Sequence, residues 1–520
     1  MTHEVAVDIN PATVVARNAR HFGDNVAVIY AGGDLTYAEL DMRVARLASV
    51  LDDDGVRAGD RVAYLGMNSS SFLVTMLAAF RIGAIYVPVN FRLAGPELAQ
   101  VLQRSGAVTV IAEEGHRDAV EAVRDQLKVE RYILVDDDPE VPAAVAAGWE
   151  GWSALLAAAE PRTTVVSGSF DDPAILMFTS GTTGLPKGVV LTYGNVWWNS
   201  VNVDSRIDTR RGDVTHAAAP LFHIGALNSF VIRTLVRGGT VVVRRAFDPA
   251  GFIADVVDLE VNSTFAVPAM LNALARTPGA FDHDYSSLRS VVVAGAPVPP
   301  SQIEQFANHG ILLQQAWGLT ETAPFATHLP AEMTRTKLGS CGIPMPHTEV
   351  RVVDPDSGVV VGPGEPGELV VRGPNVSPGY WENPKATAAV FDEEGWFHTG
   401  DIGYADEDGY VYIVDRLKDM IVTGGENVYP AEVERAVSDL PAVTDVAVVG
   451  APDSEWGETV VAVVSLADDA DITIEDIRAH AAERIARYKL PRRLVIVESV
   501  PRNASGKLDK VLLREAVSGQ

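Results

Sequence analysis

Short apolar runs alternate with amphipathic segments along most of the chain, and this rhythm restricts the possible folds more than any other feature. Arg61-Val-Ala-Tyr-Leu65 has the length and composition of a buried strand, and residues 70–82 have helical spacing with a serine at the start as a cap. Ile85-Tyr-Val-Pro-Val89 reads as the next strand, before a helix opening at Pro96-Glu97. Val108-Thr-Val-Ile111, a helix over about 117–127 and Tyr132-Ile-Leu-Val135 continue the pattern, which returns with strands at Thr240-Val-Val-Val243, Thr264-Phe-Ala-Val267 and Ser290-Val-Val-Val293. Such alternation predicts an α/β chain of largely parallel sheets covered by helices.

The rhythm changes twice. From about residue 350, short strands and Gly/Pro turns such as Gly362-Pro-Gly-Glu-Pro-Gly367 predict a small β-rich subdomain. After Val414, two helices (about 430–439 and 473–487) and strands at Asp445-Val-Ala-Val448 and Val460-Val-Ala-Val-Val464 predict a small α+β domain. With 520 residues, too many for one ordinary core, the expected organisation is a large domain over 1–415 and a small C-terminal one over 416–520.

Charge narrows the function. A net charge of −27 disfavours non-specific binding to nucleic acid or to an anionic membrane face. No stretch reaches the ~18 unbroken apolar residues of a membrane span. The N-terminal decapeptide has two acids and no apolar core, unlike a signal peptide. One cysteine, Cys341, excludes an internal disulfide, which is compatible with a reducing cytoplasm, and it reads as a buried small apolar residue.

Thr179-Ser180-Gly181-Thr182-Thr183-Gly184-Leu-Pro-Lys187-Gly188 follows the apolar run Ala174-Ile-Leu-Met-Phe178. Glycines let successive backbone N–H groups turn towards an anion, the hydroxyls add donors, and Lys187 adds a positive charge. The stretch reads as a polyphosphate grip. It lacks the Gly-Lys-Ser/Thr ending of a Walker loop, and Val189-Val-Leu-Thr192 looks like a strand, so a strand–loop–strand device is expected.

Five further stretches carry chemistry. Pro220-Leu-Phe-His223-Ile-Gly225 precedes an apolar helix, and Ala294-Gly295-Ala296-Pro297 follows a strand, where it serves equally as a packing turn or a ligand contact. In Gln315-Ala316-Trp317-Gly318-Leu-Thr320-Glu321 an aromatic face can stack on a purine, a hydroxyl can bond a phosphate, and a carboxylate can hold Mg²⁺; a core tryptophan beside a helix cap is the alternative. Gly395-Trp-Phe-His-Thr399-Gly400-Asp401 offers an acceptor for a diol. Finally, nine Lys/Arg against two acids between Arg484 and Arg514 reverse the sign of the chain, around Ser505-Gly506-Lys507-Leu508. A solvated basic face would also explain that run.

Taken in order, and with Asp415-Arg416-Leu-Lys418-Asp419 and Gly424-Gly425 between the last two, these stretches resemble the adenylate-forming superfamily of acyl-CoA synthetases, adenylation domains and luciferases over almost the whole chain. The resemblance implies a catalytic set of Lys507, Thr179, Lys187, His223 and Glu321, the last also the Mg²⁺ ligand. It implies nucleotide contacts from Ser180, Gly181, Thr182, Thr183, Gly184, Gly295, Ala296, Pro297, Ala316, Trp317, Gly318, Thr320, Asp401 and Arg416. Lys418 would be the hinge, and Gly424 and Gly425 a loop entering the site for thioester formation. Trp317 departs from the more usual tyrosine and alters the pocket beside the adenine.

The implied reaction is activation of a carboxylic acid by Mg·ATP to an acyl-adenylate, then transfer to CoA. An apolar pocket around His223, Asn228, residues 295–297 and 317–325 points to an aromatic or medium-chain aliphatic acid. Arg487, Lys489 and Arg492 are candidates for the CoA phosphates. The alternatives are another acceptor (a carrier-protein thiol or an amine), nitrite activation for diazotisation, or a scaffold that kept the fold without catalysis. Amino-acid activation is disfavoured, because Pro220-Leu-Phe-His223 lacks the Asp that holds an amino group. Many members of the superfamily are dimers, so a homodimer is compatible, and the cytoplasm is the expected location.

Overall fold

The computed structural model describes residues 7–31, 33–93, 95–179, 186–296, 298–423, 426–453, 457–467, 470–502 and 508–518. The chain divides into two compact units, one of residues 1–350 and 371–397, the other of 351–370 and 398–520. The expected boundary at 415/416 falls inside the second unit.

Two sheets build the first unit. A seven-stranded sheet runs in the order Glu150–Gly151, Arg131–Val135, Thr109–Glu113, Arg61–Leu65, Ile85–Val89, Pro173–Thr179, Lys187–Thr192. It is parallel except for its last pair, an antiparallel hairpin. A nine-stranded sheet has a parallel centre, Leu313–Trp317, Ser290–Val293, Ser263–Ala266, Val214–Ala217, Thr240–Val243 and Val26–Tyr30, with short antiparallel strands at both edges. The central strands are buried Val/Ile/Leu-rich runs because helices cover both faces. The α/β class expected from the alternation is therefore the class observed.

Local chemistry explains the boundaries. The helix Ser70–Ile82 starts one residue after its cap, as Ser69 accepts from the N–H of Phe72, and it stops at Gly83, whose φ of 74° lies in the left-handed region. The helix expected over 117–127 is instead Glu114–Glu121 followed by a 3₁₀ turn at Arg124–Gln126. The one expected over 473–487 ends at Ala481.

The second unit holds most of a four-stranded sheet, in the order Glu349–Val353, Gly367–Arg372, Phe397–Ala405, Val411–Arg416. Its other sheet is dominated by the long antiparallel pair Val443–Asp453 and Gly457–Leu466, with Arg493–Ile496 added in parallel. Separate apolar clusters lie around Val433, Val448 and Ile477 and around Val449, Val463 and Leu513. Among the described residues no helix is long and apolar enough to cross a membrane.

Candidate active site

Thr179 and Lys187 face each other as the last pair of the hairpin. The strands expected on either side of this stretch are present, as Pro173–Thr179 and Lys187–Thr192, while Ser180, Gly181, Thr182, Thr183 and Gly184 lie outside the described residues. The Nζ of Lys187 lies 4.9 Å from the ring centre of Tyr380. Tyr380 is tied to the hairpin by a β-bridge to Val189, and the N–H of Trp381 donates to the Gly188 carbonyl at 2.7 Å.

The hydroxyl of Tyr380 donates to Oε1 of Glu321 at 2.8 Å. Burial, reinforced by that carboxylate, pushes the phenol well above its usual range, so it stays a protonated donor. Lys187, Tyr380 and Glu321 thus form one cluster at the Thr179–Lys187 end of the hairpin: a cation, a neutral donor and an anion. Sequence reasoning missed Tyr380; its only signal was an aromatic residue directly after the Pro378-Gly379 turn. Tyr380→Phe should keep the packing and release one Glu321 oxygen. A loss of about 1 kcal/mol, or several-fold, in ATP-dependent pyrophosphate release is expected, with the thermal midpoint little changed.

The turn carrying Glu321 is strongly constrained. Thr320–Thr322 is a 3₁₀ turn, Ala323 has φ 60°, and Ala323–Pro324 is cis. A Cβ on Gly318 would sit 1.8 Å from the Pro324 carbonyl oxygen, so only glycine fits there. Buried amides hold the other carbonyls: Asn375 donates to those of Thr322 (2.8 Å) and Phe325 (3.0 Å), and Asn228 donates to that of Ala323 (2.7 Å). The Ser377 N–H donates to the Glu321 carbonyl at 2.7 Å. Asn228 sits in a π-turn, Leu227–Val231, which breaks the helical register behind His223.

His223 opens the short helix Ile224–Ala226, with its ring centre 4.3 Å from that of Phe222. Gly295 has φ 91°, which explains the glycine, and it and Ala296 are exposed, while Pro297 lies outside the described residues. Ala316 and Trp317 end the strand Leu313–Trp317 and are more than nine-tenths buried. Apolar side chains of Phe230, Phe265, Val292, Ala294, Ala316 and Phe325 pack together beside them.

In the second unit, Asp401 and Arg416 are register partners on adjacent strands, 2.5 Å apart as an ion pair, with Asp401 almost fully buried. Thr399 orients this carboxylate's backbone by accepting from the Asp401 N–H at 3.0 Å. Lys418 lies in the 3₁₀ turn Leu417–Asp419; Gly424, Gly425 and Lys507 lie outside the described residues. Four residues of the basic run are paired with acids of the same unit: Lys489 with Glu432 (2.6 Å), Arg502 with Asp445 (2.8 Å), Lys510 with Glu434 (3.3 Å) and Arg514 with Asp419 (2.8 Å). Arg492 donates to the Thr423 hydroxyl at 2.9 Å. Acids on other elements, invisible in the local count, offset part of the charge of this run.

Among the described residues no three His, Cys, Asp or Glu side chains cluster as a metal cage. The single carboxylate of Glu321 beside the hairpin suits Mg²⁺, which takes one or two carboxylates and completes its shell with phosphate oxygens and water.

Comparison with known proteins agrees with this layout. The AMP-binding enzyme family model matches residues 15–381, and that of the AMP-binding enzyme C-terminal domain matches 432–507. A feruloyl-CoA synthase of an Amycolatopsis species is 43% identical over 494 residues, covering 95% of this chain and 96% of the relative. An indoleacetate–CoA ligase of Aromatoleum aromaticum is 38% identical, with 96% and 97% covered. The solved o-succinylbenzoate CoA synthetase of Bacillus subtilis, in complex with its acyl-adenylate intermediate, superposes with a TM-score of 0.86 at 31% identity, over 96% and 97% of the two chains. Matches that run nearly end to end, at such identities, leave one conclusion: the chain belongs to the AMP-binding enzymes, the adenylate-forming superfamily.

Proposed function

We propose that this protein is an acid–thiol ligase that converts an aromatic carboxylic acid, ATP and CoA into the acyl-CoA, AMP and pyrophosphate. The observation that supports it is the clustering of Lys187 and Glu321 on Tyr380 beside the hairpin, a cation and a carboxylate of the kind that Mg·ATP binding needs.

In the first step a carboxylate oxygen of the acid attacks the α-phosphorus of ATP, and the bond to pyrophosphate breaks. Lys187 and the loop N–H groups hold the departing phosphates, and Lys507 bridges the attacking carboxylate and the α-phosphate, offsetting the charge that builds there. Glu321 would hold Mg²⁺, which supplies charge neutralisation on the phosphates. Asp401 accepts from the ribose hydroxyls, and its ion pair with Arg416 orients the carboxylate. In the second step the CoA thiolate attacks the acyl carbon and AMP leaves. We assign the small domain, 416–520, a rotation about Lys418 between the steps, withdrawing Lys507 and bringing in Gly424 and Gly425.

The apolar cluster of Phe230, Phe265, Ala294, Ala316 and Phe325, together with feruloyl-CoA and indoleacetate–CoA ligases among the relatives, supports an aromatic acid. ATP and CoA as substrates, and one buried thiol at Cys341, support a cytoplasmic reaction. The test is pyrophosphate release with ferulate, indoleacetate, o-succinylbenzoate, a medium-chain fatty acid, malonate and nitrite, with and without CoA, products being read by mass spectrometry. An aryl-CoA formed only with CoA is expected. Preference for malonate would overturn the substrate class. An adenylate with no CoA product would overturn the acceptor and favour a carrier-protein thiol or an amine.

A further inference from the structure

We infer that Asn68 is a positioning residue for the loop that carries His223, and through it for the seat of the acid; this rests on the reading of that loop given above. Asn68 is 2% exposed and lies between the strand Arg61–Leu65 and the helix Ser70–Ile82. That places it on the seven-stranded sheet, yet all its hydrogen bonds go to loops of the nine-stranded one. Its Oδ1 accepts from the N–H of Leu221 at 2.8 Å, and its Nδ2 donates to the carbonyls of Ala219 (2.9 Å) and Arg244 (3.1 Å).

These contacts bracket Pro220, the residue at which the chain leaves the strand Val214–Ala217 for the His223 turn. Within that turn the His223 N–H donates to the Pro220 carbonyl at 3.1 Å, and the Leu227 N–H donates to the His223 carbonyl at 3.0 Å. Holding the carbonyl before the proline and the N–H after it sets the direction of the turn and so the position of His223. Backbone groups beyond the end of a strand have no ladder partner, and one amide side chain supplies both a donor and an acceptor.

The seat of Asn68 is itself rigid. The Met67 N–H donates to Glu113 Oε2 (3.2 Å), Tyr64 donates to Glu113 Oε1 (2.8 Å), and Arg245, next to the Arg244 carbonyl that Asn68 holds, donates to Glu113 Oε2 (2.6 Å). Gly66 makes this possible: a Cβ there would lie 2.6 Å from the Glu113 carboxyl carbon. The Asn68 amide thus ties the His223 loop to the other sheet, and the neighbouring loop at Arg244 is held there both by that amide and by the Arg245–Glu113 ion pair.

The test compares Asn68→Ala, His223→Ala and the double variant with ferulate as the acid, measuring KM for ferulate, KM for ATP, kcat and the thermal midpoint. Asn68→Ala is expected to raise the KM for ferulate roughly tenfold to a hundredfold, leave the KM for ATP within about twofold, and add little to His223→Ala in the double variant. A lowered thermal midpoint with an unchanged KM for ferulate would make Asn68 a purely structural tie and overturn the inference. So would additive effects in the double variant. If His223→Ala leaves the KM for ferulate unchanged, the reading of the loop fails, and the inference with it. Asn68→Ser carries the same comparison should Asn68→Ala fail to fold.

Discussion

Lys507→Ala is expected to lower acid-dependent pyrophosphate release by about 10²- to 10³-fold, the cost of removing one positioned donor from a developing negative charge. Thioester formation from pre-made acyl-AMP and CoA should stay within a few-fold of the unmodified protein, because the lysine serves only the first half-reaction. The two rates are measured separately, by pyrophosphate release without CoA and by acyl-CoA formation from synthetic adenylate. Equal losses in both would reject the division of labour. Lys507→Arg is not a neutral control: a planar guanidinium cannot take the place of a point charge between two oxyanions.

The second large effect is steric. Gly318→Ala places a methyl group 1.8 Å from the Pro324 carbonyl oxygen and 2.7 Å from the Thr322 hydroxyl. That oxygen cannot retreat freely, since the turn is held by Asn228 on Ala323 and by Asn375 on Thr322 and Phe325. The turn must therefore rebuild, and Glu321 moves with it. A loss of about 3 kcal/mol in stability is expected, with about a 10²-fold fall in adenylation from displacement near the reacting groups. Denaturant midpoints and pyrophosphate release measure the two effects. Gly115→Ala is the control, since it lies in the helix Glu114–Glu121 with nothing within 4 Å of the added Cβ, and it should be neutral or slightly stabilising. Full activity and stability in Gly318→Ala would refute the rigidity of the turn.

Much of this could be read in one dimension. Strands such as Arg61–Leu65 and Ile85–Val89 appear at the expected residues, because a strand buried on both faces must be a short unbroken apolar run. The hairpin around the glycine–threonine loop was legible for a related reason: apolar runs flank it directly, and no helix pattern follows. Helix ends were less legible. The segment after Glu121 gives way to a 3₁₀ turn, and the helix expected over 473–487 stops at Ala481, because packing decides where a turn frays.

The site divides in the same way. Candidate residues proposed to meet a ligand through their own chemistry, such as Lys187, Glu321, Asp401 and Lys507, stand out by type and by order along the chain. The residues that hold them do not. Tyr380 reaches Glu321 across 59 positions, Asn375 reaches Thr322 across 53, and Asn68 reaches Leu221 across 153. An asparagine looks the same in a surface turn and in a buried clamp, and only the folded chain shows which carbonyls it faces. The basic tail makes the same point in reverse: its charge is real, but Glu432, Glu434, Asp445 and Asp419 pair with it from distant positions. Local periodicity was enough for the fold class, and the ordered motifs, through their resemblance to a known superfamily, for the family and for the candidate groups. Which neutral side chains orient those groups, and which charges remain available, depends on long-range contacts that local sequence does not encode.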